Sequence, residues 1–373
     1  MDAKTLITSL LRRADIRIGG DRPWDILVRN EALYGRIARY GTLGAGESYV
    51  DGWWDCQQLD TLFCKAVKAR LEKNMERTLP ALFVHLCQTL FNLQDLARAR
   101  VVAERHYDTD NRMFRCMLGP SMNYSCGYWR GASSLDEAQT NKMELICRKL
   151  HLEPGMRVLD IGCGWGSLAR YMSRHYHVEV TGATISKEQY RYATEQDGGH
   201  EVAWLLQDYR RLEGTFDRIV SVGMFEHVGC KNYRTFFAKT RSLLAPDGLF
   251  LLHTIGSNRD KMGTDPWIHK YIFPNGMLPS PVRITRAMAG YYVMEDWQNF
   301  GADYDRTLMA WYDNFEQGRR EQRFACSEAL RRMYRYYLLS CAGAFRARDI
   351  QLWQLVLSPE GVPGGYSYQP LGL

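Results

Sequence analysis

The chain has 373 residues, more than the roughly 100–200 that most single domains use, so two domains are expected. A formal charge of +6 without long Lys/Arg runs points to no nucleic-acid partner, while a weakly basic face suits anionic lipid. Ten cysteines are scattered with no C-x-x-C pair, which argues against a disulfide framework or zinc site and for buried thiols in a reducing cytoplasm.

Met1 to Asp15 mixes apolar and charged residues as an amphipathic helix does, not as a signal peptide does. Ile16 and Ile18, then Trp24 to Arg29 beyond Gly19-Gly20, predict a small hairpin. A Gly-rich segment from Tyr40 to Trp54 follows, then helical patterns over Leu59 to Lys73 and Leu79 to Arg100. The richest apolar run, Leu79 to Leu93, contains Pro80, His85 and Gln88 and is shorter than the roughly 20 residues a bilayer span needs, so any membrane contact is peripheral. Residues 1–95 therefore read as a small, mostly helical domain, 96–105 as a linker and 106–373 as a larger domain. The Gly/Pro-rich tail from Pro359 to Leu373 reads as loosely ordered.

From Met156 the chain alternates strand and helix, with β-rich runs at Arg157 to Gly162, Val178 to Ile185, Val202 to Gln207, Arg218 to Met224 and Leu249 to Ile255. Later strands are expected near Tyr291 to Asp296 and Ile350 to Ser358. This alternation predicts an α/β fold, a parallel sheet with helices on both faces. After its first strand stands Val158-Leu-Asp-Ile-Gly-Cys-Gly-Trp-Gly166, followed by a helix from Ser167 to about His175. Glycines let backbone approach a ligand closely, and the helix N-terminus offers free N–H groups. A dinucleotide fold uses G-x-G-x-x-G. Gly162, Gly164 and Gly166 with Asp160 inside the strand instead give the pattern of the Rossmann-like class I S-adenosylmethionine (SAM) methyltransferases. The bland alternative is an ordinary strand-to-helix turn.

Thr184 ends the second strand, where a hydroxyl can meet the cofactor's ribose or methionine part. Ser186, two residues on, is at least as well placed to cap the next helix. Gln207-Asp208 ends the third strand and can read the amino edge of adenine. Glu226-His227 follows the fourth strand and His253 lies in the fifth. A histidine in such an apolar run is often a satisfied core residue, but Glu226 and His253 at strand ends on the glycine-loop edge favour a function. A zinc pair is the other functional reading, and no third ligand stands at a recognisable spacing. Tyr124-Ser-Cys-Gly-Tyr-Trp129 gathers hydroxyls, a thiol and ring faces that attract a sulfonium or carbocation. The insertion from Gly256 to Pro281 mixes aromatics and cations, as expected of a lid or lipid-contacting loop or of a segment packed on its own domain.

With His106-Tyr-Asp108, Gly223 to Gly229, Leu252 to Gly256 and Asn299 to Tyr304, these motifs stand in order and spacing over nearly the whole chain. The set resembles the cyclopropane-fatty-acyl-phospholipid synthases, which add a SAM methylene across a cis double bond of a membrane phospholipid. The resemblance implies a SAM site lined by Tyr124, Ser125, Asp160, Gly162, Gly164, Thr184, Gln189, Gln207 and Asp208. It implies a bicarbonate base held by Cys126, Glu226, His253, the Ile255 backbone and Tyr304. Gly44 to Tyr49 and Asp51 to Trp54 resemble the family's smaller domain, implying lipid docking and homodimer contacts at the inner leaflet of the membrane. The rival readings are a SAM-dependent lipid methyltransferase giving a branched, methylene or hydroxylated chain, and a lipid-binding protein with a retired catalytic domain. Nucleic-acid methylation lacks both a basic stripe and an Asn/Asp-Pro-Pro-Tyr-like motif.

Overall fold

A computed structural model describes residues 2–71, 111–197, 202–260 and 263–371. The expected helix over 79–100, the linker 96–105 and the His106-Tyr-Asp108 motif lie outside the described residues. Chain contacts divide the molecule into two units. One comprises Met1–Leu93, Lys261–Gly276 and Tyr304–Ile350, and the other Gln94–Asp260, Met277–Asp303 and Gln351–Leu373.

In the first unit the helix Ala3–Arg13 is capped by Asp2, which accepts from the Thr5 N–H, and none of its residues is fully buried. The expected hairpin does not form. Ile18 and Ile26 make one isolated bridge, and strand β1 (Leu27–Val28) pairs antiparallel with β2 (Trp54–Asp55). The intervening Gly-rich stretch is helical, Ala32–Val50, with a break at Gly41. Glycines usually weaken helices, but here they admit close packing. A Cβ on Gly46 would lie 2.3 Å from the Trp267 ring. Trp267 belongs to the short helix Pro266–Tyr271 in the insertion, is fully buried and stands 4.5 Å from the Tyr336 ring. Lys270 and the Tyr271 hydroxyl both bond Glu47, at 2.7 and 2.9 Å. The central part of the insertion thus packs with N-terminal residues rather than on the sheet's unit, because its largest ring finds a slot only glycine leaves open.

The second unit is built on a seven-stranded sheet. Its strands are β3 (Arg157–Ile161), β4 (Glu179–Thr184), β5 (Val202–Leu206), β6 (Phe216–Val222), β7 (Leu244–Ser257), β8 (Val293–Asn299) and β9 (Ile350–Ser358), in the order β5-β4-β3-β6-β7-β9-β8. The pairings from β5 to β7 are parallel, and β8 pairs antiparallel with β9. Alternate residues serve two cores. Leu159, Phe250, Leu252 and Leu355 pack with Phe236 and Ile284 on one face, and Val158, Leu249, Leu251 and Val356 pack with Ile146 and Met172 on the other. A sheet apolar on both faces must carry helices on both, which is the expected α/β arrangement. Strand order reverses direction at β3, whose neighbours are β4 and β6, so the crevice at the carboxyl end of β3 is the natural ligand position.

The tail is tied down rather than loose. Tyr366 stacks on His151 with centroids 5.1 Å apart, its hydroxyl donates to the Lys149 carbonyl at 2.7 Å, and the ring joins the second core. Arg148 donates to the Pro370 carbonyl at 3.2 Å. Aromatic spacing supplies what the glycines and proline would otherwise forgo. Removing one hydroxyl from this strap, in Tyr366→Phe, is expected to cost about 1 kcal/mol of stability, read as a lowered urea midpoint with unchanged slope.

Candidate functional site

Beyond β3 the backbone turns through Gly162, Gly164 and Gly166 at φ of 83°, 56° and 85°, the left-handed region open to glycine. The N–H groups of Gly162 and Cys163 both donate to the Ala183 carbonyl on β4, at 2.8 and 3.0 Å, which fixes the loop to the sheet. The helix Ser167–Tyr176 starts directly after Gly166, as the sequence predicts. Asp160 is only 2% exposed and its Oδ2 has no hydrogen-bond partner. Burial pushes its carboxyl up to about 7, with the Lys142 ammonium opposing the shift.

Lys142 comes from the helix Leu135–Lys149, which starts at a Ser134 cap accepting from the Glu137 N–H and carries acidic residues in its first turn and basic ones in its last. Its side chain is buried and its Nζ donates to Ser125 Oγ at 2.8 Å. Burial lowers the ammonium to about 7, while Cys126 and Asp160 pull it upward. On the same helix Gln139 Nε2 donates to the Ser125 carbonyl at 2.9 Å. The Tyr124–Trp129 segment is thus held by one helix face. Tyr124 meets Phe114 edge-on at 5.5 Å, and Phe114 meets Trp165 of the glycine loop at 5.3 Å. Aromatic faces therefore lie beside the loop.

At the end of β4, Thr184 Oγ1 donates to Gln189 Oε1 at 2.9 Å and accepts from the Ser186 N–H at 3.2 Å. Ser186 caps the helix Lys187–Glu195, the alternative the sequence offered for it. Gln207 follows β5, its N–H donating to the Thr184 carbonyl at 2.9 Å and its Nε2 to the Arg211 carbonyl at 2.6 Å. Asp208 accepts from the Arg210 N–H at 2.9 Å and caps the turn Tyr209–Arg211. The glycine loop, Thr184 and Gln207 thus stand at the carboxyl ends of three adjacent strands.

The second cluster lies after β6 and within β7. Glu226 sits in the short turn Phe225–His227, buried, with Oε1 accepting from the Ile255 N–H at 2.6 Å. Burial raises the carboxyl to about 7 against the Ile255 N–H and the Thr254 hydroxyl, which favour its ionised form, and Oε2 itself has no hydrogen-bond partner. His253, two residues before Ile255 on β7, is 1% exposed. Its Nδ1 lies 3.2 Å from Gln354 Nε2, and its Nε2 has no partner. Burial first, then the Lys142 and Lys149 charges, hold the imidazole far below its usual range, so the ring is neutral. Phe300 packs edge-on between His253, at 5.7 Å, and Tyr128, at 5.3 Å. Cys126 is fully buried, its Sγ donating to the Gly127 carbonyl at 3.2 Å. Tyr304 belongs to the other unit, where it is buried and stacks on Phe345 at 4.4 Å.

Glu226 Oε2, a buried acceptor, and His253 Nε2, a buried ring nitrogen, both lack protein partners, and one acceptor with one ring nitrogen suits a small oxyanion that carries one proton. Such an oxyanion would take a donor from the ring and offer its own hydroxyl to the carboxylate. The Ile255 N–H expected in such a set is instead given to Glu226. Among the described residues no three His, Cys, Asp or Glu side chains come together in a group able to hold a metal ion. Sequence reasoning missed Lys142, Gln139 and Gln354. The first two left a readable sign, since they interrupt the buried stripe of Leu135, Ala138, Met143, Leu145 and Ile146 with polar residues.

The family model described as mycolic acid cyclopropane synthetase matches residues 94–355. A cyclopropane-fatty-acyl-phospholipid synthase of Escherichia coli strain K12 is 54% identical over 360 residues, covering 96% of this chain and 94% of that protein. Among solved structures, the cyclopropane synthase MmaA2 from Mycobacterium tuberculosis superimposes with a TM-score of 0.64 at 34% identity, covering 69% of this chain and 97% of that one. The mycolic acid cyclopropane synthase CmaA1 complexed with SAH and CTAB gives a TM-score of 0.63 at 32% identity, covering 69% of this chain and 97% of that one.

Proposed function

The chain belongs to the mycolic acid cyclopropane synthetase family, and we propose that it carries a SAM methylene onto the cis double bond of an unsaturated acyl chain in a membrane phospholipid. It is a SAM-dependent methyltransferase of the class I fold, and its reaction is cyclopropanation of a lipid double bond. The observation that carries the finer reading is the pair of buried, partnerless groups, Glu226 Oε2 and His253 Nε2, in the sheet unit that holds the glycine loop.

In this reading Gly162 and Gly164 admit the cofactor, with Asp160, Ser125, Tyr124, Thr184, Gln189, Gln207 and Asp208 around it. An alkene is a weak nucleophile, so the methyl must be held in line with it and water kept out. As the carbon–sulfur bond breaks, the new carbon–carbon bond leaves a cation on the neighbouring carbon of the acyl chain. Aromatic faces stabilise that charge. Loss of a proton from the added methyl then supplies the electron pair that closes the ring. Bicarbonate, when bound at Cys126, Glu226 and His253, supplies the base, and the Ile255 N–H serves it through Glu226, to which it donates. His253 Nε2 orients it, while Glu226 Oε2 accepts a hydrogen bond or receives the proton. Lys142 holds Ser125 so that the Tyr124–Trp129 segment keeps its place.

The remaining assignments belong to the same proposal. Residues 1–95 dock lipid and contribute to a homodimer, 96–105 link, and 106–373 catalyse. The protein works from the cytoplasm on the inner leaflet. No helix among the described residues is long and apolar enough to cross a membrane, which is compatible with peripheral contact. Purified protein with SAM and liposomes of cis-unsaturated phospholipid is expected to yield acyl chains that lose olefin protons and gain upfield ring protons in NMR. A product that gains one methylene in mass yet keeps an olefin would replace this reading with the lipid methyltransferase.

A further inference from the structure

We propose that Gln354 is a positioning residue that fixes the tautomer of His253, holding its single proton on Nε2. The role this gives His253 rests on the reading above, but the tautomer itself does not. Gln354 stands on β9, next to β7 in the sheet, and is fully buried. Its neighbours along the strand, Leu352, Trp353, Leu355, Val356 and Leu357, are buried apolar residues. A lone amide in such a run costs desolvation that leucine would avoid, so it needs a polar reason.

His253 supplies one. As the amide is placed, its nitrogen lies 3.2 Å from Nδ1 while its oxygen has no partner, and a donating nitrogen makes Nδ1 the acceptor. The ring is neutral, since it is buried and the charges that act on it are the ammonium groups of Lys142 and Lys149. A neutral imidazole has one proton, and with Nδ1 accepting, it must sit on Nε2. That nitrogen has no protein partner. The outcome is a fixed donor at a buried nitrogen that no protein group uses. With the opposite tautomer the same atom would present a lone pair and repel an anion. Phe300 packs edge-on against the ring at 5.7 Å and restrains it without competing for its nitrogens.

The test uses the full chain with histidines labelled in nitrogen-15 and long-range proton–nitrogen correlation spectra, the His253 signals being assigned by their loss in His253→Ala. The unmutated protein is expected to show Nε2 protonated and Nδ1 bare. Gln354→Glu, whose ionised carboxylate can only accept, is expected to draw a proton to Nδ1 in spectra taken at a pH above the titration of that buried carboxyl. Gln354→Met, close in size but unable to donate, leaves Nδ1 without its partner. Both variants are expected to lose turnover by about 10–100-fold, the usual scale for removing an orienting partner, with SAM affinity within about twofold. A proton on Nδ1 in the unmutated protein, an unchanged tautomer in Gln354→Glu, or full turnover in both variants overturns the proposal. The spectra need no lipid, so failure of the unmutated protein to cyclopropanate would reject the functional reading and leave the tautomer to be decided separately.

Discussion

Glu226→Gln is expected to lower turnover by about 10²–10⁴-fold while SAM binding is retained and, above neutral pH, the protein becomes more stable. The amide keeps an oxygen for the Ile255 N–H that Glu226 Oε1 now holds at 2.6 Å. At the other position it replaces a partnerless acceptor with a donor, so the group that receives a proton or a hydrogen bond is reversed in polarity. Geometry is preserved and chemistry is not.

The stability change follows from burial. Glu226 is raised from 4.5 to about 7 in the folded protein, chiefly by desolvation. A carboxyl raised in this way contributes its full share of stability below pH 4.5, where both states are protonated, and loses it as pH rises through about 7. Glutamine is neutral throughout. The variant is therefore expected to match the parent near pH 4 and exceed it at pH 8 by on the order of 3 kcal/mol, the worth of such a shift. Urea titrations at the two pH values decide it, and equal stability at pH 8 would falsify the buried-carboxylate account. Catalysis has the opposite dependence, because only the ionised form accepts. The acid limb of the rate profile is expected near 7 and not near 4.5. Asp160 and Lys142 also titrate near 7, so the limb belongs to Glu226 only if it is absent from the residual activity of Glu226→Gln.

What the sequence disclosed follows from how local each cause is. Every strand of the large sheet was legible, because short β-rich runs between helical patterns are a local signal. The glycine loop was legible because left-handed φ values at Gly162, Gly164 and Gly166 demand that residue type. That the carboxyl ends of β3 to β7 meet at one edge was legible through topology, since parallel pairing brings them there. Pairings between distant segments were not. Gln354 and His253 lie 101 positions apart and Lys142 and Ser125 lie 17 apart, and no periodicity joins them. The hairpin failed because β1 found a better partner at Trp54–Asp55, and the Gly-rich segment misled because its glycines serve a ring 221 positions on, Trp267 against Gly46. The tail misled because its composition speaks of disorder while the Tyr366–His151 stack and two hydrogen bonds hold it.

The glycine loop gives the other large effect, and two of its glycines are expected to fail for different reasons. Gly162 has φ of 83°, and a Cβ there would lie 2.8 Å from Cβ and Cγ of Met224. Met224 precedes Phe225-Glu226, so the displacement passes to the turn carrying the carboxylate. Gly164 has φ of 56°, a value other residues adopt at modest cost, and its Cβ would meet no protein atom within 4 Å. Without ligand, Gly162→Ala is expected to melt well below Gly164→Ala, since it adds a contact within protein to the backbone strain. SAM affinity is expected to fall about 10–100-fold in Gly162→Ala, matching strain of about 1–3 kcal/mol. For Gly164→Ala the informative quantity is the difference between the two measurements. Affinity lost in excess of stability means that the ligand itself occupies the open space above Gly164, which is what a cradle requires. Unchanged SAM affinity in both variants, measured by calorimetry, means that the cofactor does not lie over these glycines.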